Sequence, residues 1–196
     1  SPARIFIRET LPYRDCAGVL LFNDQGKVFM GERVHMPAAH KSNAWQMPQG
    51  GIDNGEDPYD ATRRELFEET NVSSARLITP AKDWLSYDFP DGMINKRLGR
   101  KYRGQRQKWY AMLFFGPENE IDLSAPGGGG YKQEFSQWHW EKLANLPDLV
   151  VPFKRDVYKQ LVLWFGDLPG KIRSGQIQPE NARPLAARKK SAGKKG

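Results

Sequence analysis

The sequence predicts an α/β fold, a mixed sheet with helices packed on it, and three observations carry that expectation. Residues 16–22 and 27–34 are apolar runs joined by the turn formers Asn23-Asp24-Gln25-Gly26, which reads as a β-hairpin. Residues 57–71 carry both end signals of a helix. Phe153, Val157, Leu161 and Trp164 recur at helical spacing and give an amphipathic closing helix. Between these elements strands and helices alternate irregularly, without a repeat of 20–50 residues, so solenoids and propellers are excluded.

Taken in order, the hairpin is followed by a polar loop through Ser42 and then by Trp45-Gln46-Met47-Pro48-Gln49-Gly50-Gly51. Asp57 can cap the next helix, Pro58 suits its first turn, and Asp60 complements its dipole. The helix should run to Thr70, with Asn71 as a left-handed C-terminal cap. Short strands are expected at 75–79 and 83–88 and a stronger, aromatic-rich one at 107–115. A flexible loop at 127–130 precedes a further strand at 134–140.

A chain of 196 residues can bury a real core without disulfide or metal staples. No run approaches 18 apolar residues, which excludes a membrane-spanning helix. The first residues lack a long apolar stretch and carry Glu9, so a signal peptide is not expected. Cys16 is alone, so neither an intramolecular disulfide nor a cysteine metal cluster can form, and a reducing, cytoplasmic setting is expected. The net charge of +7 is uneven: residues 166–196 hold eight basic side chains against two acidic ones, leaving residues 1–165 near neutrality. That extension has no aromatic residue and scattered Pro and Gly, so disorder is expected from residue 166 onward. A solvated tail and an arm that contacts an RNA backbone both fit it.

The helix at 58–70 carries the chemistry. At 100° per residue Glu65, Glu68 and Glu69 fall within roughly a 100° arc, where like charges repel. An acidic solvated face is one reading; a site for a hard cation such as Mg²⁺, which takes oxygen ligands, is the other. The glycines before the helix let the backbone approach the same place. The pattern Gly-x5-Glu-x7-Arg-Glu-Leu-x-Glu-Glu fits Gly50, Glu56, Arg64, Glu65, Leu66, Glu68 and Glu69 without a gap. Six near-fixed residue types at set spacing arise by chance on the order of once in 10⁴–10⁵ chains.

Residues 50–72 resemble the Nudix box, the signature of hydrolases that cleave a nucleoside diphosphate linked to another group. The box usually has glycine where this chain has Asn71, the next-best residue for a left-handed cap. Outside the box, Tyr13-Arg14, residues 45–51, Trp84-Leu85-Ser86-Tyr87, residues 104–109, Glu134-Phe135 and Phe153-Lys154-Arg155 are similar to bacterial RNA pyrophosphohydrolases and plant-type dinucleoside tetraphosphate hydrolases. The resemblance covers roughly residues 11–165; residues 37–42 look like a small insertion, and Asp15-Cys16 replaces a more usual Pro-containing pair.

The resemblance implies an α/β/α sandwich with the box as loop–helix–loop. It implies that Glu65, Glu68 and Glu69 bind two or three Mg²⁺ ions, with Mn²⁺ as a substitute, joined by Glu134 and the Gly50 carbonyl. Glu56 and Arg64 would support the box by a salt bridge that orients the glutamates. Arg14, Arg33 and Lys154 would hold phosphates, and Phe153 and Tyr87 would stack on bases; core packing is the other reading for Phe153. The implied reaction is water attack on a 5′-polyphosphate, with Glu69 as base and Glu65 as the alternative. The substrate is expected to be a nucleotide or RNA 5′ end, first triphosphorylated RNA and otherwise diadenosine tetraphosphate. A non-enzymatic RNA-binding module on the same scaffold is the rival class; the complete set of box glutamates speaks against it. Trp109, Trp138 and Trp140 read as sheet and core residues, and His35, His40 and His139 as lone surface or loop histidines.

Overall fold

A computed structural model describes residues 8–36, 38–93 and 101–181. Its centre is a mixed sheet of eight strands: β1 (Tyr13–Phe22), β2 (Val28–Arg33), β3 (Trp45–Gln46), β4 (Gln49–Gly51), β5 (Ala75–Pro80), β6 (Leu85–Asp88), β7 (Gly104–Phe114) and β8 (Phe135–Glu141). Along the main path the order is β3-β2-β1-β7-β5, with β4 on β1, β6 on β7 and β8 on β2. β1 and β7 run parallel in register from Tyr13–Gly104 to Phe22–Leu113. On its other edge β1 pairs with β4 at Cys16–Gly51 and with β2 only at Phe22–Val28, so the edge passes from one strand to the other along its length.

β1 is buried on both faces, which explains its unbroken apolar run. Val19 and Leu21 point into one core with Phe29, Met112 and Phe135, where α1 (Pro58–Thr70) adds Tyr59 and Leu66. Leu20 and Phe22 point into the other, with Trp109 and with Tyr158, Leu161 and Phe165 of α3 (Arg155–Phe165). The short helix α2 (Leu146–Leu149) adds Leu146 to this second layer. The expected α/β/α sandwich is therefore present. No helix among the described residues is long and apolar enough to cross a membrane.

Two expectations change. Phe153 stands in a 3₁₀ turn before α3 rather than on it, and the buried face of α3 is Val157, Tyr158, Leu161 and Phe165. The extension expected to be disordered from residue 166 instead forms α4 (Leu168–Arg173), which buries Leu168 and Ile172 in the second core. Two apolar residues four apart on one helical face are enough to dock it, a signal masked by the surrounding charge. Six basic residues of the expected tail, Arg183, Arg188, Lys189, Lys190, Lys194 and Lys195, lie outside the described residues.

Shortening the chain at Phe165 should therefore destabilise the body, because burial of a Leu or Ile contributes about 1.5–3 kcal/mol each. We expect a loss of roughly 3–5 kcal/mol in urea unfolding from these two side chains, and no loss for a chain ending at Asn181. Equal stability of both shortened forms would contradict the docking of α4.

Candidate active site

The loop and helix at 50–71 are set by local capping. Asp57 accepts hydrogen bonds from the backbone N–H groups of Tyr59 (2.9 Å) and Asp60 (3.2 Å), and Asn71 ends the helix at φ 68°. Tyr59, Thr62, Leu66 and Thr70 turn inward to the sheet, as their spacing predicts. That rotation puts Glu65 and Glu68 on the flank of α1 and buries Glu69.

Arg64 ties the loop to the helix. Its Nε and Nη2 donate to both carboxylate oxygens of Glu56 at 2.9 Å, and Nη2 also donates to the Gly51 carbonyl at 2.8 Å. Its Nη1 donates to Glu65 at 2.8 Å and Glu68 at 3.2 Å. Glu56 in turn accepts from the Asp53 N–H at 3.0 Å. One planar guanidinium thus fixes three carboxylates and a backbone carbonyl, which a lysine could not do. Hydrogen bonding to Glu56 is the largest influence raising the proton affinity of Arg64, so it stays charged.

Glu69 lies deeper. Burial raises its carboxyl well above the usual range, and the charges of Glu134 and Glu65 push the same way, against a hydrogen bond from the Gln49 backbone and the charge of Lys154. Its Oε2 is buried and has no hydrogen-bond partner. Glu65 is raised too, by burial first, with Arg64 opposing. At Gly50 a Cβ would collide with the Glu65 carboxylate, so only glycine lets this backbone lie against the acid. No three His, Cys, Asp or Glu side chains among the described residues converge tightly enough to hold an ion in this arrangement. The donor chemistry nonetheless suits a hard divalent cation: an orphaned, desolvated carboxylate oxygen, further carboxylates within electrostatic reach, and backbone pressed against one of them.

Cations face these acids. The Arg14 guanidinium lies against Gly51 and acts on Glu65. Lys154 is buried, donates to Gln46 at 3.2 Å and sits 5.8 Å from the centre of the Tyr87 ring. Burial first, and then Arg33, lower its pKa to about 8, while Glu134, Cys16 and Glu69 oppose. Phe153 is half-buried, with its ring 5.6 Å from that of Tyr87. Tyr87 itself is buried, with its hydroxyl donating to Gln105 at 2.6 Å, so it forms the floor behind Phe153. The structure thus brings Arg14, Arg33, Lys154 and Phe153 to the end of the sheet that carries the box.

Sequence reasoning missed the glutamines under this site. Gln107 donates to Gln49 at 3.1 Å and accepts from Trp109 at 3.2 Å, and Gln46 accepts from Lys154. Their signal was polar residues at alternate positions of apolar strands, Gln105 and Gln107 above all. Tyr158 also escaped notice; its hydroxyl accepts from the Met47 N–H at 2.9 Å and pins the loop from below. His139 is not lone: Nε2 lies 2.7 Å from Glu141, and its ring meets Trp45 edge-on. The side chain of His40 lies outside the described residues.

Comparison with known proteins fits this geometry. The NUDIX domain family matches residues 12–161. A protein of Bradyrhizobium sp. (strain ORS 278) named RNA pyrophosphohydrolase is 49% identical over 166 residues, 83% of this chain and 97% of its own. One of the same name from Rhodopseudomonas palustris (strain BisB18) is 50% identical over 164 residues, 82% of this chain and 91% of its own. Among solved structures, dihydroneopterin triphosphate pyrophosphohydrolase of E. coli superposes with a TM-score of 0.55 at 16% identity, over 78% of this chain and 98% of that one. A C. elegans Ap4A hydrolase binary complex gives 0.51 at 15%, over 77% and 98%. These distant structures share the fold.

The raised proton affinity of Glu69 makes stability depend on pH. Below the ordinary value of 4.5 both folded and unfolded chains hold this proton. As pH rises past it, the unfolded chain releases the proton and the folded chain retains it, so stability declines up to the folded pKa. In EDTA, Glu69→Gln should raise the melting temperature at pH 7 and bring no comparable gain at pH 4. Each kcal/mol reads as roughly 2–4 °C for a chain of this size. An equal gain at both pH values would show that the desolvated charge is not the cause.

Proposed function

The chain belongs to the NUDIX domain family, and from that premise we propose that it is an RNA pyrophosphohydrolase, converting 5′-triphosphorylated RNA to 5′-monophosphorylated RNA. It is a Nudix hydrolase acting on phosphoanhydride bonds. The observation that carries the substrate reading is one sheet end on which acidic Glu65, Glu68, Glu69 and Glu134 face cationic Arg14, Arg33 and Lys154, beside the half-buried ring of Phe153. Opposed charges of this kind suit a polyphosphate whose own charge is balanced from both sides.

Glu65, Glu68, Glu69, Glu134 and the Gly50 carbonyl would hold divalent cations, in our reading two or three Mg²⁺ with Mn²⁺ as a substitute. A bound cation supplies a lowered water pKa and neutralises charge on phosphoryl oxygens. Arg14, Arg33 and Lys154 bind and orient the phosphate chain, and the Phe153 ring stacks on the first base with Tyr87 as its backing. Glu69 takes the proton of the attacking water; its Oε2 is unpaired and its proton affinity is raised, which suits a base. Glu65, the alternative, has its Oε1 engaged by Arg64. Glu56 and Arg64 hold the box in shape. The work is cytoplasmic, where the substrate is made.

The direct test compares turnover of 5′-triphosphorylated RNA and diadenosine tetraphosphate under matched Mg²⁺. We expect release of pyrophosphate, or of phosphates stepwise, from the RNA; loss of turnover in EDTA; and a drop of orders of magnitude in Glu68→Gln and Glu69→Gln with the fold intact. Phe153→Ala should cost about 1–3 kcal/mol of base stacking in kcat/KM on RNA. Cleavage of the dinucleotide alone would make the protein a dinucleoside tetraphosphate hydrolase instead.

The basic extension adds RNA affinity without chemistry in this reading. Its six cations beyond Asn181 give an upper limit of about 4 in the slope of log K against log salt, at about 0.7 per phosphate neutralised on a single strand. Shortening the chain to Asn181 should flatten the slope by about 1–3 and leave dinucleotide turnover unchanged. An unchanged slope would make the extension a solvated tail only.

A further inference from the structure

We propose that Asn71 is a positioning residue that latches the glycine-rich loop 126–130 to the end of the catalytic helix α1 and so sets the wall of the site between Glu68 and Glu134. The inference rests on the reading of these two acids as active-site groups.

Asn71 is in the left-handed region, where glycine would serve equally well as a cap. Its side chain does what glycine cannot. Nδ2 donates to the Glu120 carbonyl at 3.1 Å, and Oδ1 accepts from the Gly128 N–H at 2.9 Å. One amide therefore bridges two points of the segment that leads to Glu134. The near part of this segment is held independently: Asp122 N–H donates to the Thr70 carbonyl, and a Glu120 oxygen accepts from the backbone and hydroxyl groups of Ser73 and Ser74.

Further along, the chain has few fixed points of its own. Residues 127–130 all have positive φ, and Gly129 N–H closes back on Pro126 within the loop. Among the hydrogen bonds of the described residues 126–130, that from Gly128 to Asn71 reaches the end of the helix. It brings the backbone close to Glu68, since a Cβ at Gly127 would lie 3.4 Å from the Glu68 Cα. At its far end the segment is pinned again, by Val34 N–H donating to the Glu134 carbonyl at 3.0 Å. A run of four glycines between buried Pro126 and a strand, tied in its middle by one side chain, loses a fixed point when that side chain is removed.

The test is Asn71→Gly, which keeps the backbone conformation and removes both hydrogen bonds, beside Asn71→Asp, which keeps an acceptor for Gly128 and loses the donor to Glu120. Hydrogen exchange is followed in metal-free protein, and kcat and KM are measured on triphosphorylated RNA with Mg²⁺. In Asn71→Gly, the amides of Gly128 and Gly129 should exchange about 3–10-fold faster, the amount one net hydrogen bond protects, while amides at 61–70 are unchanged. The kcat should fall about 3–10-fold with KM little altered, since phosphate and base contacts are untouched. Asn71→Asp should exchange more slowly than Asn71→Gly. Unchanged exchange in Asn71→Gly, or equal exchange in the two variants, overturns the latch. Faster exchange with unaltered kcat overturns its link to the site. A wild-type protein inactive on every polyphosphate overturns the functional reading and leaves the exchange result to decide the latch.

Discussion

Arg64 is the point on which the site depends. Without its charge, Glu56, Glu65 and Glu68 would share one small patch of helix and loop and repel one another. Like charges at helical spacing destabilise a helix by a few tenths of a kcal/mol per exposed pair, and by more where water is excluded. The guanidinium reverses this, because its planar fork meets both oxygens of Glu56 and still reaches Glu65, Glu68 and the Gly51 carbonyl. The loop geometry and the orientation of the acids are thus one arrangement. Glu69 stands apart on the inward side of the same helix, where burial outweighs the Gln49 backbone hydrogen bond and the charge of Lys154.

The sheet beneath answers with polar side chains where a core would ordinarily be apolar. Gln105 and Gln107 are buried on β7, Gln46 on β3, and their amides join Tyr87, Trp109, Gln49 and Lys154. An amide can both donate and accept, so such a layer carries a cation at one end and a backbone loop at the other without leaving groups unpaired. The buried Lys154 is tolerable on those terms: Gln46 accepts its hydrogen bond, the Tyr87 face lies beneath, and Glu134 and Glu69 draw its charge.

What could be read from the sequence was whatever is decided locally. Asp57 and Asn71 fix the helix ends with their own backbone neighbours, the hairpin turn is written in four residues, and the box is a spacing on one helix. These need no knowledge of the rest of the chain. What could not be read depends on partners far along it. Tyr87 is a floor rather than an open stacking face because Phe153 lies over it, 66 residues away in the chain. The docking of α4 rests on two apolar residues whose surroundings are charged, and His139 found Glu141 because both point to the same side of β8. The second hydrogen bond of Asn71 belongs to the same group: its left-handed cap was legible, its grip on Gly128 was not.

The C-terminal helix docks away from Arg14. Pro169 packs against the hairpin turn at Gly26, whereas Arg14 sits near the opposite end of β1 and the box starts beside Cys16 and Ala17. Eight residue steps along β1 separate Arg14 from Phe22, about 26 Å at the usual rise. In the reading proposed above, a basic extension leaving from this side would meet an RNA away from its 5′ phosphates. Such a molecule would act as a ruler: a dinucleotide or a very short transcript would engage one end only, and only a longer chain could be held at both.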